Sequence, residues 1–130
     1  MPKQLAARAG ISVREEDFVA AARRAREIGL VLPDRAREVP VWVVSTAEGV
    51  YLRSYRAEQG RWYQSVLSSA TFSIEIDDAL ITVGYERVNA PTTIRSVDDA
   101  YTTKYFGESE LDEMLTPEVA ATTLRIFPVD

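Results

Sequence analysis

Residues 39–63 read VPVWVVSTAEGVYLRSYRAEQGRWY. Two runs rich in β-branched and aromatic residues, 39–45 and 50–55, flank Ala47-Glu48-Gly49, a composition that predicts two antiparallel strands joined by a tight turn. Side chains alternate along a strand, so Val50, Leu52 and Ser54 share one face, and Tyr51, Arg53 and Tyr55 the other. The first is a core face. RWYQSVLSS, residues 61–69, then predicts a short helix.

The same reasoning extends outward in both directions. EIGLVLP, residues 27–33, reads as a strand before the turn residues PDRARE. TFSIEI and ALITVGYERV read as strands joined across Asp77-Asp78, an acidic pair placed where a hairpin needs turn residues. AATTLRIFP, residues 120–128, is the last strand. Ser12 and Glu15 have capping-box spacing for a helix to about Arg26, with Phe18, Ala22 and Ala25 on its apolar side. Ser96 with Asp99 predicts a second helix, stopped near Phe106 by Gly107. Ser109 with Asp112 predicts a third, carrying Leu111, Met114 and Leu115 and ended by Pro117. Strands with few helical crossovers favour a mainly β (α+β) antiparallel barrel of six strands over a doubly wound sheet. Val41, Val43, Leu52, Ile74, Ile76, Ile81, Val83 and Ile126 are its expected apolar residues. Residues 1–10 are read as a flexible leader and 11–130 as one domain.

Composition narrows the chemistry. Histidine and cysteine are both absent from the 130 residues, which removes disulfides, thiolate nucleophiles and the commonest general base. No metal site is expected. Residues 1–38 carry eight basic and six acidic groups, and residues 39–130 carry seven and fourteen. That balance disfavours nucleic acid as a partner. No apolar run reaches the ~20 residues of a membrane span, and the start lacks a secretory signal, so the expected location is the cytoplasm.

Against this acidic background, three of the seven later basic groups are Arg53, Arg56 and Arg61. A guanidinium offers a planar fork of donors for phosphate or carboxylate, and neighbouring rings flank a flat ligand. The alternative is a solvent-facing strand on which Tyr51 and Tyr55 cover Arg53. Composition does not separate the two. In AYTTKYF, Tyr101, Lys104 and Tyr105 share a helical face. Lys104 is one of two lysines, so it either donates a proton when desolvated or snorkels to water beside packed tyrosines.

The run VPVWVV…VYLRSYRAEQGRWYQ, then DDAYTTKY and AATTLRIFP, resembles an uncharacterised family of small bacterial proteins, a domain of unknown function, over about residues 17–128. That family in turn resembles the split-barrel flavin- and deazaflavin-binding superfamily, which includes pyridoxamine-phosphate oxidases. The resemblance implies a six-stranded split β-barrel that forms a homodimer and binds FMN or a deazaflavin. It implies that Arg53, Ser54, Arg56, Arg61 and Trp62 fall at the phosphate-binding elements, with Tyr55 and Tyr63 beside them and Trp42 and Val44 as an apolar wall. The basic turn before the second strand lacks the glycine that deazaflavin reductases carry there.

Three functions follow. The first is an oxidoreductase-like protein whose flavin or deazaflavin supplies the electron chemistry for a small organic substrate. The second is a cofactor-free isomerase, cyclase or hydratase using Tyr51, Tyr101 or Lys104 for proton transfer. The third is a non-catalytic small-ligand binder.

Overall fold

The computed structural model describes residues 13–129. The elements in chain order are α1 (Glu15–Arg24), β1 (Glu27–Val31), β2 (Val39–Trp42), β3 (Val44–Thr46), β4 (Gly49–Leu52), α2 (Arg61–Leu67), β5 (Thr71–Ile76), β6 (Ala79–Arg87), α3 (Pro91–Lys104), α4 (Leu111–Met114), α5 (Pro117–Ala120) and β7 (Leu124–Pro128). A single 3-10 turn at Ala57–Gln59 precedes α2. Every strand pairing is antiparallel, in the order β2-β1-β5-β6-β7-β4-β3. Only Val43 separates β2 from β3, so the two edges of the sheet belong to one stretch of chain, and the sheet curls into a nearly closed barrel.

The barrel has seven strands where six were expected, and the extra one comes from a break at Val43. Backbone groups that leave a ladder need other partners. Here the Tyr105 hydroxyl accepts from the Val43 N–H at 3.0 Å, and the Lys104 ammonium donates to the Val43 carbonyl at 2.7 Å. Two side chains from the end of α3 thus replace the ladder at the kink.

The alternation in β4 sorts residues between two cores. Val50 and Leu52 point into the barrel, with Val43, Ile74, Ile76, Ile81, Val83 and Ile126, while Val41 is half-buried at its margin. Tyr51 lies on the opposite side with Val44, Val97, Tyr101, Tyr105, Leu111 and Met114, beneath α3 and α4. The outward face of β4 is therefore covered by helices and not by water.

Helix boundaries differ from expectation for local reasons. Ser12 and the leader lie outside the described residues, and α1 opens at Arg14 without a side-chain cap, with Glu15, Glu16 and Asp17 in its first turn. Its last residue is Arg24, two short of Arg26. α3 begins at Pro91, five residues before the expected cap, because proline suits a first helical position. Ser96 sits inside α3 and its hydroxyl donates to the Thr92 carbonyl at 3.2 Å. Glu110, not Ser109, precedes α4. Pro117 opens α5 instead of ending a helix, with the Thr116 hydroxyl accepting from the Val119 N–H. The last strand starts at Leu124 because Ala120 closes α5 and Thr122 and Thr123 bond back to it. Asp77 and Asp78 hold the β5–β6 turn at φ of 53° and 61°, left-handed values that aspartate tolerates better than most residues.

Candidate functional site

The chain after β4 turns sharply. The Ser54 N–H donates to the Thr122 hydroxyl at 2.9 Å, and the Ser54 hydroxyl donates to the Ala57 carbonyl at 2.8 Å. Ala57 takes φ 57°, and the chain then enters α2 through Gly60, where a Cβ would overlap the Ser54 hydroxyl. This compact turn brings Ser54, Tyr55, Arg56, Arg61 and Trp62 to the wall of one cavity of about 790 Å³. Arg35, the β2 residues Val39 to Trp42, and Glu27, Glu108 and Glu110 also line it. The volume suits a ligand of cofactor size.

Six of the seven residues assigned to cofactor binding therefore meet at one cavity, and Tyr63 does not. Tyr63 is packed into the barrel core, and its buried hydroxyl has no hydrogen-bond partner among the described residues. Trp62 belongs to the same core while presenting an edge to the cavity, and it meets Tyr63 edge to face at 6.1 Å. Trp42 stacks flat on Tyr105, with ring centres 4.0 Å apart. Val44 lies in the helix-covered core and lines a different cavity, because the break at Val43 separates it from Trp42.

Arg53 is neither on a solvent-facing strand nor flanked by the two predicted rings. It is 1% exposed, although it belongs to the residues lining the cavity. Its Nε donates to the Thr123 hydroxyl at 2.9 Å, its Nη1 to Asp98 at 2.6 Å and to the Met114 carbonyl at 3.0 Å, and its Nη2 to the Ile94 carbonyl at 3.3 Å. The ring near its guanidinium is Tyr101, 5.4 Å away, while Tyr55 is exposed. Arg53 thus ties β4 to α3, α4 and the Thr122–Thr123 segment. The buried Thr122 and Thr123 went unnoticed in the sequence because they read as the start of a strand.

Arg35, Arg56 and Arg61 are the guanidiniums that remain available. None forms an ion pair among the described residues, and Arg56 and Arg61 are exposed. The Nε of Arg35 is buried with no hydrogen-bond partner. A buried donor without an acceptor is costly, and Arg35 is one of the residues that line the cavity. The sequence marks the turn that holds Arg35 as basic but does not assign Arg35 to the site, because a turn arginine carries no periodic signal. Three guanidiniums and two indoles fit a ligand that joins a phosphate to a flat ring.

The three residues proposed for proton transfer do not converge on this cavity. Tyr51 and Tyr101 are 1% and 0% exposed, within the helix-covered core. Burial pushes the Tyr101 phenol well above the ordinary tyrosine range, against a smaller opposing pull from Arg53. Its hydroxyl lies near the Arg53 backbone without a well-formed hydrogen bond. Lys104 lines a second cavity, donating to the Ala22 carbonyl at 2.9 Å as well as to Val43. Burial, and then Arg26, lower its pKa to about 8. The Tyr105 hydroxyl donates to the Arg26 carbonyl at 2.7 Å, and burial raises its pKa to about 12. Among the described residues no group of three or more histidine, cysteine, aspartate or glutamate side chains is placed to hold a metal, and no helix is long and apolar enough to cross a membrane.

This covered barrel, with an arginine-rimmed cavity beside the β4–α2 turn, shares its fold with solved structures. A Listeria innocua protein assigned by name to the pyridoxamine 5'-phosphate oxidases superposes with a TM-score of 0.61 at 14% identity, over 89% of this chain and 94% of that one. A conserved hypothetical protein of Mycobacterium tuberculosis superposes with a TM-score of 0.55 at 17% identity, over 98% and 84%. At these identities the likeness is one of fold. No curated protein matches the chain. Residues 15–126 match the family of uncharacterised proteins conserved in bacteria called DUF2255, and the chain belongs to that family.

Proposed function

We propose that the chain binds a phosphate-bearing flavin or deazaflavin in the arginine-rimmed cavity and serves as an oxidoreductase-like protein for a small organic molecule. The observation that carries this reading is the grouping of Arg35, Arg56 and Arg61, none of them ion-paired among the described residues, on the lining of one cavity. In this reading those three side chains hold the phosphate, and Trp42 and Trp62 border the ring. Trp42 is kept in place by its stack on Tyr105. Ser54 acts indirectly: its N–H and hydroxyl are both engaged in holding the turn that presents Arg56 and Arg61. Arg53 acts by tying β4 to α3 and α4. When bound, the cofactor supplies the electron and hydride chemistry, for which the chain itself has neither histidine nor cysteine.

Fluorescence titration with FMN and with a phosphate-bearing deazaflavin tests this. Each charge-assisted contact to a phosphate contributes roughly 1.5–3 kcal/mol, so Arg61→Ala is expected to weaken binding about tenfold or more. Failure of the wild type to bind either compound would overturn the reading.

The same reading carries a homodimer. Among the described residues Phe106 is 83% exposed and Tyr55 48%; Tyr55 lines the cavity, and Phe106 stands two residues before the lining residue Glu108. Pairing two copies would cover such surfaces.

A further inference from the structure

A second cavity, of about 510 Å³, opens between α1, β3 and α3. Lys104 lines it, together with Arg23, Asp99 and the residues Ser45, Thr46 and Thr103, which carry hydroxyls. We propose that Lys104 is a reactive amine that condenses with a small carbonyl compound bearing a carboxylate, held in this second cavity by Arg23. The inference is independent of the flavin reading, which concerns the other cavity.

An amine is a nucleophile when it is neutral and its lone pair can be reached. A neutral amine has two N–H bonds and one lone pair, and Lys104 has two acceptors, the carbonyls of Ala22 at 2.9 Å and Val43 at 2.7 Å. Both N–H bonds are thereby directed into protein, and in this proposal the lone pair is on the side of the residue that borders the cavity. Half burial and Arg26 hold the pKa at about 8. Roughly a tenth of the amine is then neutral at pH 7, against about one part in several thousand for an ordinary lysine.

The groups around it are few. From the residues after α1, Arg26 donates to the Lys104 carbonyl at 3.0 Å and opposes a second positive charge. The Tyr105 ring lies 5.6 Å from the amine, and its phenol stays neutral to about pH 12. Asp99, on α3, favours the charged amine but is exposed, where water screens it. Arg23, on α1, is exposed and forms no ion pair among the described residues. It gives the cavity a guanidinium able to hold a carboxylate in a two-pronged grip. The hydroxyls suit the remaining oxygens.

The step balances without a co-reactant. The amine lone pair adds to the carbonyl carbon, and one N–H proton passes to the oxygen, giving a carbinolamine. Its hydroxyl leaves with the second N–H proton as water, and the C=N bond forms. Protonation of that imine restores one N–H for the Val43 carbonyl.

Glyoxylate is the probe, with sodium cyanoborohydride supplying the hydride that fixes the imine as a secondary amine. Lys3 is the internal control, since the chain has no other lysine. After treatment of the whole folded protein, peptide mass spectrometry is expected to find Lys104 labelled at least tenfold faster than Lys3, with a rate that rises through about pH 8. Arg23→Ala is expected to slow glyoxylate labelling several-fold while leaving labelling by acetaldehyde unchanged, and Lys104→Arg to leave that peptide unlabelled. Labelling of Lys104 no faster than Lys3, or only after denaturation in urea, would overturn the reactive amine. An unchanged glyoxylate rate in Arg23→Ala would overturn the carboxylate-bearing partner.

Discussion

Replacing Arg53 with alanine removes a guanidinium that is sealed from solvent and makes four hydrogen bonds. The Met114 and Ile94 carbonyls lose a donor, and the Thr123 hydroxyl keeps only its bond to Ala120. Asp98 loses its cation. Breaking a buried ion pair from one side costs about 3–5 kcal/mol. Because the Asp98 side chain is 36% exposed, its charge partly rehydrates and the lower figure applies, about 3 kcal/mol. For a domain of this size each kcal/mol moves the midpoint by roughly 3–4 °C, so Arg53→Ala is expected to melt about 10 °C below wild type. Arg53→Lys keeps the charge but not the fork of donors, and should fall between the two. Arg61→Ala, at an exposed position, should stay within about 0.5 kcal/mol. Circular dichroism melts and urea unfolding of the four proteins measure this. An Arg53→Ala protein as stable as Arg61→Ala would refute the buried network.

Gly60→Ala places a Cβ against the Ser54 hydroxyl at an ordinary φ of −62°, so the penalty is steric; about 1–3 kcal/mol is expected in urea unfolding, partly recovered by adding Ser54→Ala. Lys104 gives a pH signature: its folded pKa of about 8 lies below the ordinary 10.5, so between these values the unfolded chain binds the extra proton. Stability should therefore rise with pH from 8 to about 10, and Lys104→Met should lose that rise. Above pH 10 the sign reverses, because Tyr101 and Tyr105 ionise more readily unfolded than folded. Light scattering at micromolar concentration should give twice the chain mass, and a clean monomer would remove the dimer.

How much of this was legible depended on whether the cause was local. Alternation in β4, β5 and β6 gave both strand positions and the inward residues, since the period-2 signal needs only neighbouring side chains. The break at Val43 was not legible, because the partners that make it possible, Lys104 and Tyr105, lie about sixty residues away. Arg53 shows the same limit at the site. Its face of the strand was read correctly, but whether that face meets water depends on α3, α4 and Thr123. The clustering of Arg56, Arg61 and Trp62 was visible because a tight turn keeps sequence neighbours together in space. Arg35 joins them from the turn between β1 and β2, which is legible as basic but does not single out one arginine.

If the arginine-rimmed cavity recognises a ligand through its phosphate, paired titrations of FMN and riboflavin will separate the two compounds. The two differ only in that group. With Arg35, Arg56 and Arg61 all available to it, wild type is expected to bind FMN at least tenfold more tightly than riboflavin at low salt, a preference that shrinks in Arg35→Ala and as ionic strength rises. Equal affinity for the two compounds, or no binding of either, would rule out phosphate recognition by this cavity.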